Sequence, residues 1–112
     1  MELSKKDKKA AREIIERGLQ NEDANGLNQF LTILQDWENN NLSNRDAYHE
    51  IYKRVVDYDK YIARRYDQMS GSKYLFIVAG QLIDEAISAE DLESLSDEAK
   101  QAVKRIADIA NS

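Results

Sequence analysis

Tyr74-Leu75-Phe76-Ile77-Val78-Ala79 is the stretch on which the fold class of this chain turns. Six apolar residues in a row, two of them aromatic, fit a buried strand or a buried helix equally well. The helical reading prevails for two reasons. Leu82, Ile83, Ala86 and Ile87 continue the pattern at helical spacing. No second strand-like run occurs, and a lone strand would leave its backbone groups unpaired. A helix apolar on every side belongs at the centre of a bundle. The reading is therefore all-α.

The neighbouring segments extend this reading in both directions. Ser70-Gly71-Ser72 reads as a turn, with Ser72 capping the central helix, which is expected to run to about Ser88. Ser88-Ala89-Glu90-Asp91 has the form of a capping box opening one short helical turn. Ser96, followed by Asp97 and Glu98, caps a last helix with Ala99, Ala102, Val103, Ile106 and Ala110 inward, and acids in its first turn suit the helix dipole. Upstream, Ser43 or Asn44 caps a long third helix reaching to about Met69. Before it, Ser4 caps a first helix with Ala11, Ile14, Ile15, Gly18 and Leu19 on one face. Asn21 to Gly26 reads as a break. A second helix carries Leu27, Phe30, Leu31, Leu34 and Trp37, and Asn39, Asn40 and Asn41 end it, since Asn tolerates the left-handed conformation. The expected architecture is an antiparallel helical bundle of four main helices plus one or two short ones, forming a single domain over residues 1–112.

Composition narrows the function classes. The chain has 112 residues, enough for one core that buries roughly two-thirds of the unfolded surface. It has no cysteine, which excludes disulfides and thiol chemistry and fits a reducing, cytoplasmic setting. It has no proline to interrupt long helices. The basic start leads into no apolar run, so no signal peptide is expected. The longest apolar stretch falls well short of the ~20 residues of a membrane span. The net charge of −5 argues against a generic nucleic-acid binder while leaving room for a local basic patch.

The third helix holds the most informative side chains. At about 100° per residue, Tyr48, Ile51, Tyr52, Val55, Ile62, Tyr66 and Met69 form one apolar stripe, expected to be core. Asp59 falls inside that stripe and is expected to be partly buried and paired, because an unpaired buried carboxylate is costly. On one flank lies a second row, Arg54, Tyr58, Tyr61 and Arg65. Alternating guanidiniums and phenols can stack and are enriched at binding hot spots. This row is the expected partner-binding site. Lys60, Arg64 and Lys73 are the candidate anion-binding groups, Lys73 because it stands at a helix N-terminus.

Enzymatic readings find little support in the residues. His49 is the sole histidine, so the Asp46…His49 spacing cannot make a paired di-iron site, and no zinc set exists. No Gly-rich phosphate loop and no nucleophile elbow occur. The acids from Asp84 to Glu98 read mainly as decoration of helix N-termini. The expectation is a non-enzymatic helical module that binds another protein, without metal or cofactor. A homo-oligomer is compatible with this. The alternative is phosphate or nucleic-acid binding through the basic and aromatic residues of the third helix.

Overall fold

The computed structural model describes residues 2–67 and 69–111. It is all-α: four α-helices, α1 (Lys5–Glu38), α2 (Asn44–Tyr66), α3 (Tyr74–Ile83) and α4 (Asp97–Asn111), joined by 3-10 turns at Gly71–Lys73 and Ala89–Ser94. No strand occurs among the described residues, and Tyr74 to Ala79 are helical. The chain divides into two compact units. Met1–Glu22 with Gln68–Ser112 forms one, and Asp23–Asp67 forms the other.

The expected break at Asn21 to Gly26 does not exist, and the first two expected helices are one helix. Local propensity is overridden by tertiary partners. Asn21 sends its side-chain amide to Ala86 O at 2.8 Å, so it does not compete with the helix backbone. Gly26, which costs a helix up to ~1 kcal/mol, is buried against the Tyr58 ring. Three of the expected ends are found. Ser4 Oγ accepts from Asp7 N and Ser43 Oγ from Asp46 N. Asn40 closes α1 in the left-handed conformation, with Asn41 N donating to Asp36 O. Helix α2 ends at Tyr66 rather than near Met69, and Gln68, counted in that helix from sequence, lies outside the described residues.

In the first unit α3 is the central element, as its composition implies. Leu75, Ile77, Val78 and Ala79 are buried, and α3 packs on α4 through Ala99, Val103 and Ala107. Ala10, Ala11, Ile14 and Ile15 supply the buried face of α1. Four details depart from the sequence reading. Phe76, within the run expected at the centre, is 60% exposed, and Ala110, expected inward on α4, is exposed where Ala107 is buried. The 3-10 turn, not a Ser72 side chain, leads into α3. The helix also stops at Ile83, five residues early, because Glu85 adopts a left-handed conformation and Ala86 N returns to Gln81 O. That is the Schellman closure, here with a glutamate where glycine is usual.

Polar ties fix this unit. Asp7 is buried and accepts from Ser96 N at 2.8 Å and Ser96 Oγ at 2.6 Å. Ser96 Oγ in turn accepts from Ala99 N, so one carboxylate joins the first turns of α1 and α4. The capping box at Ser88 forms as expected, with Asp91 accepting from Ser88 N at 2.8 Å while also pairing with Arg17. These partners determine both acids' titration. The Ser96 hydroxyl, more than any other group, holds Asp7 below the ordinary carboxylate range, against the opposing effect of burial. Asp91 is held low first by the Ser88 backbone N–H and then by Arg17.

Candidate functional site

The second unit is a hairpin of two antiparallel helices: α1 from Asp23 onward, and α2. Its register follows from three side-chain bonds. Trp37 Nε1 donates to Asn44 Oδ1 at 2.6 Å, Arg54 to Gln29 Oε1 at 3.0 Å, and Tyr58 Oη to Asp23 Oδ1 at 2.5 Å. Small residues bring the helices together. A Cβ on Gly26 would stand 3.0 Å from the Tyr58 ring, so glycine lets that ring lie against α1. Ala47 is the buried residue of α2 and Ile33 its counterpart on α1. Tyr58→Phe should therefore loosen the hairpin by about 1 kcal/mol through the lost Asp23 bond. Hydrogen exchange of the α2 amides reads this, and Asp23→Asn should add little in the Tyr58→Phe background. Full additivity would mean that the bond contributes nothing.

Two helices touching each other can each bury only one line of side chains. On α1 the facing line runs through Gly26, Phe30 and Ile33, and on α2 through Ala47, Ile51, Arg54 and Tyr58. One residue further along each helix is about 100° round it. For facing antiparallel right-handed helices, that rotation points to the same side of the pair. It gives Leu27, Leu31 and Leu34 on α1, and Tyr48, Tyr52 and Val55 on α2. All six are exposed, Leu27 at 64%, Tyr48 at 71% and Tyr52 at 64%. The opposite side provides a check. The residues one step back, Gln29 and Thr32 with Asp46 and Glu50, line a single open groove together with Asp36 and His49. The hairpin thus has one polar side and one apolar side.

This corrects the sequence reading of the third helix. The stripe containing Tyr48, Tyr52, Val55 and Met69 is not core but exposed, while Ile51, Ile62 and Tyr66 are half-buried. Asp59, which follows the same ridge, is exposed rather than buried. The helix turns the other row inward: Ala47 is buried, the Tyr58 ring lies against Gly26 with its hydroxyl on Asp23, and Arg54 bonds Gln29. The sequence did carry a signal. Arg45 and Asp59 sit at heptad spacing about Tyr52, and two charges in an apolar stripe suit a surface better than a core.

The proposed row of Arg54, Tyr58, Tyr61 and Arg65 is brought together along α2, where much of it bonds within the hairpin. Arg54 bonds Gln29 and Tyr58 bonds Asp23. The rings of Tyr58 and Tyr61 lie 6.4 Å apart, and the Arg65 guanidinium lies 5.1 Å over Tyr61. Lys60 and Arg64 are exposed one helical turn apart on α2, and Lys73 is exposed on the 3-10 turn of the other unit. Among the described residues no group of three His, Asp or Glu side chains gathers to hold a metal, and no helix is long and apolar enough to cross a membrane.

The fold and site thus define an all-α protein with a two-helix hairpin that exposes an apolar face. The chain matches no protein-family model, no curated protein and no solved structure.

Proposed function

We propose that this protein is a small non-enzymatic helical module that binds protein through the apolar side of its α1–α2 hairpin. One observation carries the reading: six large apolar side chains in water on one side of a two-helix unit. Apolar surface left in water forgoes about 25 cal/mol per Å². Single exposed leucines are ordinary, but a contiguous face marks an interaction surface. Tyrosine is enriched at the centre of such surfaces, where one residue can contribute about 2 kcal/mol or more. The Arg54–Arg65 row lies along the hairpin's own contact line, where Arg54 and Tyr58 bond α1, and this leaves it less to offer a partner.

Photo-crosslinking tests this reading. A benzophenone amino acid at position 52 should give a covalent protein adduct in lysate of cells expressing the full chain. The same residue at position 53, on the polar side, should give none. Equal labelling at both positions, or none at 52, sinks the reading.

A further inference from the structure

We infer that the occupant of the apolar face is a second copy of this chain, packed hairpin against hairpin and turned end over end. This rests on the protein-binding reading above and specifies its partner. Two observations single out a second copy.

The first is the arrangement of charge. The exposed ridge of α2 runs Arg45, Tyr48, Tyr52, Val55, Asp59, and its two charged residues stand seven positions either side of Tyr52. Seven residues are two turns, so Arg45, Tyr52 and Asp59 share one line along the helix. Neither the Arg45 nor the Asp59 side chain has a hydrogen bond or ion pair among the described residues. A two-fold axis in the plane of the face, crossing the helices at Tyr52, reverses the ridge on itself. Arg45 then meets the second copy's Asp59, and Asp59 meets the second copy's Arg45. On α1 the same rotation brings Leu27 toward the second copy's Leu34, with Leu31 near the axis. A two-fold interface must be self-complementary in this way, because each surface element meets its mirror in sequence order. An unrelated partner places no such requirement on the ridge.

The second is area. Side chains of these sizes at these exposures present on the order of 100 Å² each, so the six together offer roughly 600 Å². The half-buried Ile62, and the edges of Phe30 and Ile51 that the contact line leaves open, extend the face toward the ~800 Å² per partner of a standard interface. The product is a four-helix layer in which each hairpin gains the second apolar contact that two helices alone cannot supply.

Sedimentation velocity on the full chain at about 1 to 100 µM provides the test. The expected result is a species of twice the 12.9 kDa chain mass. Tyr52→Asp, and separately Leu31→Asp, should give monomers of unchanged helical circular dichroism. Arg45→Asp and Asp59→Arg, each alone, should weaken the dimer about tenfold by setting like charges together. The combined reversal should recover it to near the starting affinity. A monomeric chain at the highest concentration overturns the inference, as does a dimer indifferent to Tyr52→Asp. So does a double reversal no better than either single change. If the chain is monomeric while the position-52 crosslinker still captures a different protein, the second copy is excluded and the protein-binding reading survives. If nothing crosslinks at all, both fail.

Discussion

Gly18→Ala should destabilise this protein by about 2–4 kcal/mol, although alanine is the better helix former by about 1 kcal/mol. Gly18 is buried on α1 where α3 crosses it. A Cβ there would lie 2.6 Å from Gln81 Cδ and closer still to its Nε2. The far end of a glutamine ordinarily moves aside at little cost. This one is fully buried and donates to Ile15 O at 3.0 Å. To make room it must break that bond and shift within fully buried surroundings. Overpacking costs roughly 1–3 kcal/mol and a lost buried hydrogen bond about as much again. For a domain of this size the midpoint should fall by roughly 10 °C or more. Trimming the obstruction supplies the control. Gly18→Ala with Gln81→Ala should be more stable than the two single changes summed, by about 1 kcal/mol or more, as expected for residues in contact. A neutral or stabilising Gly18→Ala would mean that α1 and α3 do not approach this closely.

The second large effect belongs to Asp7. Asp7→Ala removes the buried acceptor of both the Ser96 amide and the Ser96 hydroxyl, and with it the tie between the first turns of α1 and α4. Bonds to an ionised acceptor are worth more than neutral ones, so the loss should be about 3 kcal/mol. Acid should act on the same tie. Both Asp7 and Asp91 are held below their ordinary range in the folded chain. A depressed folded pKa means that the unfolded chain takes up its protons first as pH falls. Their contribution is therefore complete above the ordinary carboxylate range and is lost as pH drops through it and below, from about pH 4 downward. Urea midpoints between pH 6 and pH 2 read this directly. The wild-type curve should fall in acid, and Asp7→Ala should start lower and fall less. Parallel curves would show that Asp7 carries no linked proton.

How much of this was legible beforehand differs between the two units. The first is read almost directly. Tyr74 to Ala79 are apolar on every side, a segment of that kind has few places to go but the centre of a bundle, and all but Phe76 are buried. Ser88 with Asp91, and Asn40 at a left-handed turn, act within a few residues of themselves, so their roles are written in local sequence. Asp7 is different: its Ser4 cap is local, but its carboxylate serves Ser96, at the far end of the chain.

The hairpin shows where sequence stops deciding. Helix α2 carries two rows, each regular enough to be an inner face: Tyr48, Tyr52 and Val55, or Ala47, Tyr58 and Arg65 with their neighbours. Periodicity gives the rows and not the choice between them, because both obey the same 3.6-residue repeat. Hydrophobicity alone favours the first row. The structure takes the second: Ala47 is buried, and the Tyr58 ring lies over Gly26 and bonds Asp23. Asp59 follows from that choice and moves from expected core to exposed ridge. So does the fate of Asn21 to Gly26, whose turn-forming residues stay helical because Ala86 and Tyr58 occupy them. The sequence by itself determined that the chain is helical, where most helices begin, and which residues are apolar. Only the tertiary structure decided which of those residues meet water, because burial depends on the shape of the partner surface, and no single helix encodes its partner's shape.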